Sequence, residues 1–301
     1  MAYYLRPLPS SSMTEVWDIG TEQAIKLGID NPRAFPGAFF KANPGETIWE
    51  TIRANTPWFG PNGENPFHQA RLSPGQYYSR MARPSLHSAH PPGMNPGVGQ
   101  ELNSVAIYHS QLCVLARQLD RICQTVHPTT QTFGTFGHDI RNLLILSCTE
   151  AEAHWRGVLK ANGMTNDRFT TADYVRLLPA MKLDEYAVTF PSYPWLDEIR
   201  PYVGWGSSGR PTQDLRWYDS YNAAKHDRET SFERATLRSV FEAISACAIM
   251  MAAEFGPLEG TYPAAEPLSF FRLSATPQWP LADHYIAPYG NATWHAVNFA
   301  F

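Results

Sequence analysis

The densest run of chemically able side chains is Arg216-Trp217-Tyr218-Asp219-Ser220-Tyr221-Asn222-Ala223-Ala224-Lys225-His226-Asp227-Arg228-Glu229. On a helix, Asp219, Asn222 and His226 fall three and four residues apart and share a face, with Tyr218, Tyr221 and Lys225 beside it. An imidazole titrates near neutral pH. With amide, carboxylate and ammonium neighbours it can transfer a proton and stabilise an anion. The same residues also suit a plainer task, in which His226 and Asn222 fix the turn into the next helix. A second polar group lies upstream, where Glu150 and His154 are four apart and Glu152 sits a turn beyond Cys148. A di-iron bundle would need Glu-x-x-His on two helices. That spacing is absent and there is no second copy, so a solvated or ion-paired face is expected, with no metal and no cofactor.

Stronger signatures are missing: there is no HExxH, no GxxxxGK[ST] and no GxSxG. The glycines at 204, 206 and 209 superficially fit GxGxxG. However, a proline-rich stretch precedes them where a dinucleotide fold needs a buried strand, and Pro211 follows where the helix should begin. Cys113, Cys123, Cys148 and Cys247 form no CxxC pair and read as reduced core thiols.

The elements that must carry these residues are set out by proline. Of 25 prolines, 13 lie in 1–98 and 11 in 179–301, with Pro128 alone between. Proline removes an amide donor and clashes inside helices, so long helices belong in the middle. Val105, Tyr108, Leu112, Leu115, Leu119, Ile122 and Val126 alternate spacings of three and four, predicting a helix over 100–126. A second helix is predicted over 137–161, stopped by Asn162-Gly163. Helices over 215–228 and 231–255 follow. The last has two adjacent apolar stripes, one through Leu237, Phe241, Ile244, Ala248, Met251 and Phe255, the other through Val240, Ala243, Cys247 and Met250. Such a helix lies centrally in a bundle or against a second subunit, so a homodimer is expected.

Elsewhere, PGETIWETIRAN predicts a short helix, and TEQAIKLG another from a Thr21 cap to Gly28. Thr170 or Thr171 starts a short helix, and Tyr186, Val188 and Phe190 alternate as in a strand. Strand-like alternation also marks Phe271-Leu273-Ala275 and Val297-Phe299-Phe301. The expected fold is mainly α, an antiparallel bundle of about four long helices with proline-rich irregular arms at both ends and at most a small β element. The boundaries are an arm without its own core over 1–98, the bundle over 99–256 with an insertion near 164–214, and a tail over 257–301.

The chain has 301 residues, 44% hydrophobic and 17% charged, and a formal net charge of −4. Its apolar content suits a substantial core and excludes a charge-driven disordered chain. The acidic balance disfavours coating duplex DNA or an anionic membrane. Neither a signal-peptide core nor a membrane-length apolar run is present in the sequence, so a cytoplasmic protein is expected.

The Tyr221-Asn222-x-x-Lys225-His226 segment resembles the HEPN superfamily, as it follows a helix pair and an insertion and leads into a long last helix. The resemblance covers about residues 100–255. It implies a dimerising helical bundle of bacteria or phage, with RNA as partner. Active members carry R-x(4–6)-H and cleave RNA without metal. The resemblance then implies His226 as the catalytic imidazole and Asn222 as the polar residue that follows the arginine. The arginine position is Tyr221 here, and Lys225, Arg228 or Arg141 are the candidate replacement cations; Arg216 lies ten residues before His226. Trp217 and Tyr218, with Arg216 and Arg228, are candidate RNA contacts. Two readings stand open: a metal-independent endoribonuclease or defence-related RNA-binding protein, and a catalytically inactive interaction or regulatory module acting as a dimer.

Overall fold

The computed structural model describes residues 2–9, 11–89, 91, 93–257 and 269–301. Helix accounts for 44% and strand for 14%. The chain divides into two compact units: Met1–Tyr77 with Arg83–Pro92 and Trp279–Ala296, and Tyr78–Ala82 with Gly93–Gln278 and Val297–Phe301.

The first unit is built on an antiparallel sheet. Its strands are β1 (Ala2–Pro7), β2 (Thr14–Ile19), β3 (Gln23–Lys26), β4 (Phe39–Lys41) and β5 (His68–Gln69), in the order β4-β3-β2-β1-β5. The β1–β2 register sets Tyr4 opposite Trp17 and Leu5 opposite Val16. Helix α1 (Ile48–Asn55) starts at a capping box between Thr47 and Glu50. It buries Ile48 and Ile52 with Trp17, Phe40 and Phe67. The rings meet edge to face, Trp17 with Trp58 at 5.5 Å and Trp17 with Phe67 at 6.0 Å. Arg6 lies 3.8 Å over the Trp58 ring, and Arg6 and Lys26 both bind Glu15. Burial works against the Glu15 charge, but Lys26 and Arg6 prevail and hold its carboxyl below the usual range.

This sheet corrects the mainly α expectation: the fold is mixed α/β, and the N-terminal residues form a layer with its own aromatic core. Short strands separated by proline and glycine turns leave too few residues each for a period to emerge. The helix expected at TEQAIKLG is strand β3, which hydrogen-bonds to β2 on one side and β4 on the other. Cross-strand pairing overrides local helix preference there.

The second unit contains α2 (Leu102–Thr125), α3 (His138–Ala161), α4 (Thr171–Tyr174), α5 (Leu177–Met181), α6 (Pro211–Asp214), α7 (Arg216–His226), α8 (Arg228–Ser231) and α9 (Leu237–Phe255). The four long periodic segments are helical, but the third ends at His226 rather than at 228 and the last begins at Leu237 rather than at 231. Helix α9 touches α2, α3 and α7. Every residue of α9 except Arg238 and Glu242 is buried, so both apolar stripes are covered within the chain itself. The insertion begins at a Thr170–Asp173 capping box and sends Tyr202 and Trp205 into the same core. Strand Ala187–Thr189 pairs antiparallel with Arg272–Ala275. In the tail, Val297 ends a strand that starts at His295, and Phe299 and Phe301 lie beyond it. Among the described residues no helix is long and apolar enough to cross a membrane.

Trp17 is fully buried and Phe35 is 57% exposed. Trp17→Ala is expected to cost about 3–5 kcal/mol in urea unfolding, and Phe35→Ser less than about 0.5 kcal/mol. Equal, small effects would mean that the first unit has no packed core.

Candidate functional site

Helix α7 forms because Trp217, Tyr218, Tyr221 and Ala224 repeat on one face, and all four are buried. Trp217 is 1% exposed and donates its Nε1–H to the Pro201 carbonyl at 3.0 Å. Tyr218 donates to Glu152 Oε1 at 2.8 Å. Burial, then the Glu152 charge, pushes the Tyr218 hydroxyl far above its ordinary value. Lys225 donates to the Tyr221 hydroxyl at 2.8 Å, and this bond chiefly raises the lysine. Burial raises Tyr221. The Trp217, Tyr218 and Tyr221 faces are therefore core surfaces.

At its C-terminal end α7 leaves carbonyls without helical partners. Arg141 of α3 meets one of them, giving Nε and Nη2 to the Ala224 carbonyl at 3.2 and 3.0 Å. The structure thus brings Arg141 to the turn that carries Lys225 and His226. His226 is exposed, and Asn222 is half-buried. Among the described residues the His226 ring makes no hydrogen bond or ion pair, with Asn222 or otherwise. Asp219 pairs with Arg234 instead of joining them. Arg216 is exposed at the opposite end of α7. The side chain of Arg228 lies outside the described residues.

The most highly organised polar group lies elsewhere in this unit. Glu254 of α9 is 0% exposed. Its Oε2 accepts from Arg80 Nε at 2.6 Å, and its Oε1 lies 2.5 Å from His154 Nδ1. Arg80 Nη2 also contacts Glu254. Tyr108 stacks on the His154 ring at 4.2 Å, and the Arg80 guanidinium lies 4.8 Å over Tyr108. His154 Nε2 faces Glu150 Oε1 at 3.9 Å. Burial opposes the Arg80 charge, but the Glu254 and Tyr108 fields outweigh it, and the guanidinium is held more firmly protonated than usual. Burial raises Glu150, Glu101 and Tyr108.

The backbone around Arg80 is built for this contact. Arg80 has φ 55°, a conformation side-chain-bearing residues rarely adopt. Asn95 donates to the Tyr78 and Met81 carbonyls, Asn162 to the Ser79 carbonyl, and the Ala82 amide to the Ala253 carbonyl. A Cβ at Gly157 would sit 2.1 Å from Arg80 Nη1, so only glycine lets the guanidinium pass along α3. The sequence displayed the Glu150–His154 pair but not Arg80, Tyr108 or Glu254. The one available signal was a lone carboxylate at the end of the most apolar helix, where an isolated charge cannot stay unpaired.

The four cysteines are free and buried. Burial drives the Cys148 and Cys247 thiols well up and Cys123 to about 11, so none is an activated nucleophile. A cavity of about 610 Å³ between the end of α2 and the start of α3 is lined by Arg121, Ile122, Phe136, His138, Asp139 and others. Among the described residues no group of three or more His, Cys, Asp or Glu is placed to hold a metal ion. No protein-family model, curated protein or solved structure matches the chain.

Removing Arg80 leaves Glu254 buried with a single partner. Arg80→Ala is expected to lose about 3–5 kcal/mol in denaturant unfolding. Gly157→Ala, which crowds the guanidinium without removing it, is expected to lose about 1–3 kcal/mol. Wild-type stability in both would mean that Arg80 does not occupy this site in solution.

Proposed function

We propose that the chain is a HEPN-like protein whose helical unit does not cleave RNA and acts as a dimeric interaction or regulatory module. The observation that carries this reading is the engagement of Arg141. Cleavage of a phosphodiester needs a cation aimed at the charge that develops in the transition state. Arg141, the cation that α3 brings to the His226 turn, is bound through two nitrogens to a backbone carbonyl. Lys225 is bound to Tyr221. Among the described residues His226 has no group to fix its tautomer, and the aromatic rings of α7 that would stack on bases are buried. The dimer in this reading would use a face other than α9, whose stripes are already covered. Ile107 of α2, 68% exposed, is one apolar candidate.

One observation favours the competing nuclease reading: Lys225 and His226 are both exposed at the end of α7. Incubation of the full chain with single-stranded RNA in EDTA, beside His226→Ala, separates the two. Equal, background-level cleavage by both proteins is expected. EDTA-resistant cleavage lost in His226→Ala would overturn the non-cleaving assignment. Light scattering at micromolar concentration tests the dimer, and a monomer there would remove that part of the reading.

A further inference from the structure

The buried array around Glu254 poses a question about one proton. An ionised carboxylate only accepts hydrogen bonds, so the 2.5 Å contact between Glu254 Oε1 and His154 Nδ1 places a hydrogen on Nδ1. The other ring nitrogen, Nε2, is directed at Glu150 Oε1 across 3.9 Å. That oxygen is buried and receives no hydrogen bond from the described residues. If the ring is neutral and Glu150 is ionised, two lone pairs face each other inside the protein. A proton on either group turns that opposition into attraction.

The surrounding charges press the same way. The strap Tyr78–Ala82 contributes Arg80, and α2 contributes Tyr108, with Glu101 at its N-terminal boundary. Helix α3 contributes Glu150 and His154. Helix α9 contributes Glu254, and its Cys247 thiol lies within the Glu150 field. Glu101 and Glu150 both lie in the Glu254 field, so an added proton lowers the repulsion within the cluster. We infer that Glu150, facing His154 Nε2, carries a proton that the folded chain holds and releases as pH rises, making the stability of the helical unit proton-linked.

The direction follows from the Glu150 carboxyl. Burial holds it above the ordinary carboxylate value; His154 opposes this shift and Glu254 adds to it. A carboxyl raised in the folded state binds its proton more tightly there than in the unfolded chain. Its stabilising effect is complete below the ordinary value of 4.5 and is lost as pH rises through the raised value.

Glu150→Gln tests this. Glutamine keeps the shape, cannot ionise, and offers Nε2 a donor. Thermal unfolding of the full chain is followed from pH 4 to pH 9. The variant midpoint is expected above wild type at pH 8 by roughly 3–6 °C, with the gap closing toward pH 4. Parallel curves, or a variant less stable at every pH, would overturn the proposal. Nitrogen NMR of the His154 ring, assigned through its contact with Tyr108, gives a second readout that needs no unfolding. A ring titration in wild type that moves in Glu150→Gln supports the proton at Glu150; a ring in one fixed state from pH 5 to pH 9 in both proteins rejects it.

Discussion

A carboxylate at the end of an apolar helix constrains the helical unit more than any other single group. Taking Glu254 out of water costs several kcal/mol even after relaxation, and hydrogen-bonded counter-charge is what offsets that cost. Here the offset requires two partners distant in sequence: Arg80, 174 residues away, and His154, 100 residues away. Each partner then imposes its own condition. Arg80 reaches Glu254 only in a left-handed backbone conformation, which costs about 1–3 kcal/mol and persists because its surroundings hold it. Its guanidinium passes α3 only where Gly157 supplies no side chain. The strap, α3 and α9 therefore have one mutual arrangement that satisfies the charge, and apolar packing alone would permit sliding among several.

The same logic recurs in neutral form through the rest of that core. Trp155 donates to the Tyr202 hydroxyl, which donates to the Ala246 carbonyl; Trp217 donates to the Pro201 carbonyl. Buried aromatic residues with a polar tip lose stability unless the tip is bonded. Each such bond fixes a ring against a particular backbone position, and together they tie the irregular 190–210 segment to α3, α7 and α9. The consequence for function is direct. The rings expected to stack on bases are committed to cohesion, and of the α7 side chains it is these aromatic ones that are engaged inside the fold.

How much of this was legible depends on range along the chain. Helices α2, α3, α7 and α9 were readable because a side chain and its neighbour on the same face lie three or four residues apart, and proline or glycine follows α2, α3 and α9. The Thr170 cap and the strand at Ala187–Thr189 were readable for the same local reason. The five-stranded sheet was not, since its strands hold two to six residues and find their partners across loops. TEQAIKLG shows the limit well: its local preference is helical, and its position between β2 and β4 decides otherwise. In the site, Glu150 and His154 were visible as an i, i+4 pair, whereas Arg80 and Glu254 joined them only through tertiary packing. The resemblance drew attention to His226, but nothing in a single sequence reveals that Arg141 would be bound to the carbonyl of Ala224.

The two histidines of the helical unit, His154 and His226, divide between them what general acid–base chemistry requires. General acid–base chemistry needs an imidazole with a fixed tautomer and a path to substrate. His154 has the first: Glu254 sets its Nδ1 hydrogen, Arg80 sets Glu254, and Tyr108 covers the ring. At 1% exposure it lacks the second. His226 has the path, standing exposed at the end of α7, and among the described residues it lacks an orienting partner. Orientation and access are thus separated onto different helices, and no small rotamer change joins them, because α7 is pinned by Arg141 and His154 by the buried carboxylate. A fold with this separation keeps its best-organised polar network inside, where it bears on stability, and leaves the accessible imidazole without the fixed orientation that proton transfer requires.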